Sequence, residues 1–287
     1  MYTAILSVLL MGVFPVWGTG ELPEHIPLTI DVGSPVLTQD VRGSFTDLHR
    51  MLSASGVIIM DLDSGQNLYA YASEVPRPIA SLTKLMTALL IVENHTLDEW
   101  VRVPESADDV VGNRAYLVPG EEYTVGDLLS ALLIASGNDA AVTLAQFHAG
   151  SIEAFVHEMN ERAVMLGLHH TSFSNPIGLD APGQSSTPQD LGWLAMFALR
   201  NSDIRIRLST RGARIRSLGG QMVYLTHTHA LMHAGTSVIA GKTGTTNGAG
   251  ECLLSLVKSG NRTYLVILLN SLQRYADMRQ ILGALTL

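Results

Sequence analysis

The 287-residue chain has a single cysteine, Cys252, so it can form no internal disulfide; the thiol sits in an apolar run, where a buried and inert role is expected. Charged residues make up only 15% against 47% hydrophobic, which excludes a disordered chain. Positive charge is the scarcer sign: 18 Lys and Arg against 26 Asp and Glu give a formal net charge of −8, which argues against a nucleic-acid binder. One stretch breaks that rule, with Arg205, Arg207, Arg211, Arg214 and Arg216 crowded together. It reads as a solvated strand pair or edge strand, or else as a rim that attracts an acidic polymer. Internal repeats and low-complexity tracts are also missing.

What is present starts with an apolar stretch over 4–17, interrupted only by Ser7, Gly12 and Pro15 and too short to span a bilayer comfortably. Gly18, Thr19 and Gly20 follow as small residues where a signal peptidase could cut, although no basic residue precedes Arg42. Residues 1–20 are read as a signal peptide or N-terminal anchor. That places the protein outside the cytoplasm, in the periplasm or on the extracytoplasmic face of the membrane, with any membrane association through this segment. Residues 21–43 suit an extended lead-in, and 44–287 form the main domain.

Within it, 56–63 reads as a buried strand and 67–72 as its hairpin partner. Residues 81–94 are apolar nearly all round, the mark of a central helix. Thr124 can cap a helix over 125–135, Gly137 interrupts it, and a helix resumes over 139–148. Another runs over 152–166, and Thr187-Pro188 opens one to about residue 201. After Ser202 the period changes toward strands at 213–218, 222–227, 253–257 and 263–269, the last two joined by a turn at 259–261, and 274–285 closes with a helix. The fold class is α/β (α+β): an antiparallel sheet flanked by helices, with sheet regions at 44–80 and 203–287 and a helical region, 81–202, inserted between them.

Three short signatures occur in order: Ser81-Leu82-Thr83-Lys84, Ser136-Gly137-Asn138 and Lys242-Thr243-Gly244. Each alone is weak. Ser255 with Lys258 repeats the first, and Ser259-Gly260-Asn261 the second. Local structure separates them. On a helix, residues three apart share a face, so the Ser81 hydroxyl and Lys84 amine can meet. On a strand, Ser255 and Lys258 point to opposite faces, and the second S-G-N is a hairpin turn. A serine hydroxyl needs a base within hydrogen-bond reach, and a lysine serves only if its amine is neutral. Burial and a nearby cation, here Lys242, lower a lysine's pKa.

The ordered triple is the signature of penicillin-binding proteins and class A β-lactamases. The chain resembles the D-alanyl-D-alanine carboxypeptidases, the low-molecular-mass penicillin-binding proteins of the serine β-lactamase-like superfamily. The likeness extends over residues 78–87 (PIASLTKLMT), 133–141 (LIASGNDAA), 173–183 (FSNPIGLDAPG) and 241–250 (GKTGTTNGAG), with coverage from about Thr46 to the C-terminus. It implies a β-lactamase/transpeptidase-like fold and release of terminal D-alanine from peptidoglycan stem peptides ending in D-Ala-D-Ala. β-Lactams would be covalent inhibitors, and no metal or organic cofactor is implied.

By that resemblance Ser81 is the nucleophile and Lys84 its base, Ser136 relays a proton, and Asn138 fixes Lys84 and the substrate amide. Lys242, Thr243, Gly244 and Thr245 bind substrate, the N–H groups of Ser81 and Thr245 form an oxyanion hole, and Arg274 helps hold the carboxylate. His229 stands where the family often has Asn. Typical members continue into a C-terminal β-sandwich and an amphipathic helix, so the catalytic unit alone is expected here. Three alternatives remain. Residues 173–183 hold Asp180 but no Glu, which disfavours a β-lactamase. A D,D-endopeptidase shares every motif, and a non-catalytic penicillin-binding sensor would lack turnover. His227, His229 and His233 make a weak metal-site pattern without a Cys or carboxylate cluster.

Overall fold

The structure is a computed structural model, and it describes residues 45 and 47–285. The expectations for 1–20 and 21–43 lie outside the described residues. Strands β1 (Gly56–Asp61), β2 (Asn67–Tyr71), β7 (Val238–Thr246), β8 (Gly250–Ser259) and β9 (Arg262–Ser271) form one sheet in the order β2-β1-β9-β8-β7, every neighbouring pair antiparallel. Strands from early and late in the described residues therefore build one sheet, as the strand signals in both regions require. Two short ribbons stand apart from it: β3 (Trp100–Arg102) with β4 (Glu122–Thr124), and β5 (Gly212–Arg216) with β6 (Met222–Thr226).

The central strands are apolar on both faces because helices cover both. On β1, Val57 and Ile59 belong to one core, and Ile58 and Met60 to the other, the two-residue alternation a pleat imposes. The smaller core is closed by α8 (Arg274–Leu285), through Met278 and Ile281, and by the short α1 (Leu48–Met51). The larger core holds the helical region: α2 (Lys84–Asn94), α3 (Val125–Leu133), α4 (Asn138–Ala149), α5 (Ile152–Met165) and α6 (Pro188–Arg200). The fold is thus the α/β arrangement of an antiparallel sheet between helices.

Local chemistry sets the helix starts. Thr124 accepts from the Asp127 N–H at 3.1 Å, Ser151 caps α5, and Thr187 caps α6 with Pro188 at its first position. The structure departs from the sequence reading at 202–209. There Ile204, Ile206 and Leu208 alternate with polar residues as in a strand, yet Ser202–Ser209 is a helix, α7. Asn201 caps it by accepting from the N–H groups of Asp203 and Ile204. Burial then follows the helical spacing, with Ile204 and Leu208 inside and Ile206 out. Arg205 and Arg207 consequently sit on a helix, while Arg214 and Arg216 sit on β5. No helix among the described residues is long and apolar enough to cross a membrane.

Candidate active site

Ser81 lies in a 3-10 turn, Ala80–Thr83, that leads directly into α2. The sequence suggests one helix from residue 81; the tighter first turn is the refinement. Ala80, just before the serine, takes φ +47°, an uncommon conformation for a residue with a side chain. Two glycines allow the turn to be approached closely. A Cβ on Gly178 would stand 2.0 Å from the Ala80 carbonyl oxygen and 2.9 Å from the Ser81 nitrogen. One on Gly244 would stand 2.7 Å from that same nitrogen. The backbone around the serine is therefore boxed in from two sides.

Lys84, one residue past the turn, is wholly buried. Its Nζ lies 2.8 Å from Ser81 Oγ, 2.7 Å from Asn138 Oδ1 and 2.7 Å from the Ile177 carbonyl oxygen. Burial and then the nearby Lys242 charge hold its pKa well below the usual lysine value, against a smaller opposing pull from Asp139. A neutral amine has two N–H groups and one lone pair. The amide oxygen and the carbonyl can only accept, so they take the two N–H groups. The Ser81 hydroxyl is the one neighbour that can donate, and it falls to the lone pair. That set of neighbours orients the amine as a base toward Ser81.

The second signature sits at a helix junction. Ser136, at φ +59° and almost fully buried, lies between α3 and α4, and Asn138 is the first residue of α4. Asn138 Nδ2 donates to the Val111 carbonyl at 2.6 Å, which leaves its oxygen facing Lys84. Its backbone N–H donates to the Asn113 carbonyl at 2.8 Å. Beside it the buried Asp139 accepts from the N–H groups of Ala115 and Leu117 at 2.9 and 3.0 Å. These bonds fasten the segment carrying Gly112 and Asn113 over the cleft.

The third signature lies on β7, the sheet edge that faces the cleft. Lys242 is wholly buried, its Nζ donating to Ser136 Oγ at 2.6 Å and to the Thr243 carbonyl at 2.9 Å. Burial, and secondarily the Arg274 charge, lowers its pKa to about 7. Arg274, the first residue of α8, donates to the Gly244 carbonyl at 2.9 Å and to Thr245 Oγ1 at 2.7 Å. The cleft between these elements encloses about 240 Å³ and is lined by Ser81, Ser136, Asn138, Thr243, Gly244, Thr245 and Arg274 among others. The catalytic and substrate-binding candidates thus meet at one place: Lys84 and Lys242 lie beneath its surface, and Ser81, Ser136, Asn138, Thr243, Gly244, Thr245 and Arg274 line it.

Two groups were not singled out. The Ile177 carbonyl completes the shell of Lys84, and it comes from the 173–183 segment that carries part of the family likeness. Thr228 lines the cleft with its hydroxyl 2.6 Å from that of Thr243, its carbonyl accepting from the Tyr275 hydroxyl at 3.0 Å. Its neighbour His229 points the other way, with Nε2 2.8 Å from Ser255 Oγ. Burial lowers the pKa of His229 to about 3 and that of His227 to about 4, so both are neutral. Ser255 is therefore occupied on the α8 face, and Lys258 is exposed. Cys252 is buried, and burial pushes its thiol up to about 11.

Residues 44–272 match the D-alanyl-D-alanine carboxypeptidase family. The D-alanyl-D-alanine carboxypeptidase DacF of Bacillus subtilis is 36% identical over 219 residues, 75% of this chain but 56% of the relative, so the chain spans little more than half that protein's length. A D-alanyl-D-alanine endopeptidase of Haemophilus influenzae is 33% identical over 223 residues, 76% of each chain. The crystal structure of the Streptomyces K15 DD-transpeptidase aligns with a TM-score of 0.76 at 30% identity, covering 82% of this chain and 97% of that one.

Proposed function

The chain belongs to the D-alanyl-D-alanine carboxypeptidase family, and we propose that it removes the terminal D-alanine from peptidoglycan stem peptides through an acyl-enzyme on Ser81. The observation that carries this reading is the 2.8 Å approach of Ser81 Oγ to an amine whose other two neighbours can only accept.

Lys84 takes the Ser81 proton as the oxygen attacks the carbonyl of the penultimate D-alanine. The oxyanion is met by the N–H groups of Ser81 and Thr245, donors already fixed before reaction and so costing no reorganisation. The C–N bond to the terminal D-alanine then breaks. Ser136, held by Lys242, relays the proton that Lys84 took to the departing nitrogen, which returns Lys84 to its neutral form. Water, deprotonated by Lys84, cleaves the ester and restores the serine. Burial first and the Lys242 charge second keep Lys84 neutral, and Thr243, Thr245 and Arg274 hold the terminal carboxylate. Gly244 lets β7 approach the nucleophile. These steps call for no metal or organic cofactor. A β-lactam that acylates Ser81 in place of the peptide would be a covalent inhibitor. Such substrates place the protein outside the cytoplasm, in the periplasm or on the outer face of the membrane.

The test is release of D-alanine from a pentapeptide ending in D-Ala-D-Ala. The wild-type chain releases it, and Ser81→Ala abolishes both release and covalent labelling by a fluorescent penicillin. Labelling that survives Ser81→Ala overturns the nucleophile. A stable wild-type adduct without D-alanine release would mean a sensor, and preference for a cross-linked dimer over the pentapeptide would mean an endopeptidase.

A further inference from the structure

The β5–β6 ribbon shows a second surface, unrelated to the cleft chemistry. Its pleat sends Ile215, Val223 and Leu225 into the core, and turns Arg214, Arg216 and Tyr224 outward. Arg214 and Tyr224 are direct cross-strand partners, as are Arg216 and Met222. Arg211 is exposed one residue before β5 begins.

The five arginines of 205–216 differ in what they do. Arg207 is bound to the Gly126 carbonyl, Ser130 and Asp203, and Arg205 to the Leu199 carbonyl. Those two hold α7 in place. The guanidiniums of Arg211, Arg214 and Arg216 make no hydrogen bond or ion pair among the described residues. In a chain of net charge −8, three exposed cations without a counter-charge form a local field of the opposite sign. The face is not purely basic. Tyr224 is 75% exposed, and Leu218, in the turn that joins the strands, is 65% exposed. One acid, Glu121, lies against Gly219 in that turn.

We propose that this ribbon face docks on an anionic phospholipid membrane surface. Charge complementarity supplies the attraction. The exposed tyrosine and leucine beside the arginines favour a bilayer over a soluble polyanion, because an amphipathic ring and an aliphatic side chain gain from the headgroup boundary and gain nothing from a hydrated polymer. Two residues beyond β6 the chain reaches Thr228, which lines the cleft. Docking through this ribbon would hold the cleft beside the surface.

The experiment is co-sedimentation of the full chain with vesicles of phosphatidylcholine alone and of phosphatidylcholine mixed with phosphatidylglycerol. The readout is the gain in binding on adding the anionic lipid. Residues 1–20 carry no Lys, Arg, Asp or Glu, and residues 21–41 add acids but no Lys or Arg, so the N-terminal segment supplies no Lys or Arg side chain to that gain and is the same in every variant compared. At about 1 kcal/mol per basic residue near an anionic surface, replacing all three arginines by glutamine reduces the gain on the order of 100-fold. Arg211→Lys with Arg214→Lys and Arg216→Lys retains most of it, which separates charge from damage to the ribbon, and added salt weakens it. Tyr224→Ser lowers it less. Equal binding to both vesicles, an unchanged gain in the glutamine variant, or capture of soluble polyphosphate without vesicle binding would each overturn the proposal.

Discussion

Gly178→Ala is the sharpest perturbation of the site, because it adds one methyl group and no charge. Gly178 has φ +91°, and the added Cβ would lie 2.0 Å from the Ala80 carbonyl oxygen and 2.4 Å from its carbon. Ordinary contact begins at 3.4 Å, so the two backbones must separate by about 1.4 Å. Both contacts are backbone, and no flexible side chain can absorb them. The loop that carries the Ile177 carbonyl, or the turn that carries Ser81, has to move. Displacing the serine by about 1 Å, or withdrawing one oxyanion donor, costs roughly 10²- to 10³-fold in rate. The left-handed backbone adds about 1–2 kcal/mol of strain. Gly183→Ala is the matched control: it also has positive φ, +80°, but its nearest neighbour is the Ser174 hydroxyl at 3.7 Å. The assay is the second-order rate of labelling by a fluorescent penicillin, with thermal melting measured in parallel. Both variants lose a few degrees in Tm, and Gly178→Ala alone labels 10²- to 10³-fold more slowly. Wild-type labelling by Gly178→Ala would refute the claim that this turn must be held in place for acylation.

The remaining predictions concern charge. The folded-state pKa values of His227 and His229, about 4 and about 3, lie below the 6.5 of a free imidazole, so the unfolded chain binds more protons in that window. Stability therefore rises with pH from about 4 to 6.5 and is lost as pH falls through it. His229→Asn removes part of that slope, an effect on the order of a few kcal/mol, and urea titrations across the window that show an unchanged slope would count against the buried neutral pair. Arg274 is the second cause, after burial, of the low pKa of Lys242. Arg274→Gln removes a like charge and raises that pKa above about 7, so the alkaline limb of the acylation profile moves to higher pH; a limb that stays fixed or moves down means that Lys242 does not set it.

How much of this was legible in the sequence depended on where each signal resides. Ser81 and Lys84 announce themselves because spacing of three on an apolar helix carries both chemistry and geometry. The decoy pair Ser255 and Lys258 was separable on the same ground, the pleat of β8 sending them to opposite faces. Residues 202–209 misled because Ile204 to Leu208 alternate with arginines; the Asn201 cap and the Asp203–Arg207 pair four residues apart favour the helix, but both are weak signals beside a strong period. The Ile177 carbonyl left no trace, since a backbone oxygen is indifferent to the side chain that bears it. Thr228 was hidden differently: its value lies in the Thr243 hydroxyl across a tertiary contact, which no local pattern records.

The placement of lysine states the cost of the site most directly. The chain has three lysines, Lys84, Lys242 and Lys258, and two of them are wholly buried. Neither forms a salt bridge among the described residues, and the acid that pulls on Lys84, Asp139, has its oxygens committed to backbone N–H groups. A fold selected for stability alone would not keep two amines fully buried without a counter-ion, because desolvating each charge costs several kcal/mol. The penalty eases if the amines share fewer than two protons, and the depressed pKa values of both point that way. The same easing would let one amine act as a base while the other stays a cation, the division proposed above for Lys84 and Lys242. Two groups forced apart in protonation by their common burial can divide acid and base roles between them, which is what acyl transfer by a serine requires.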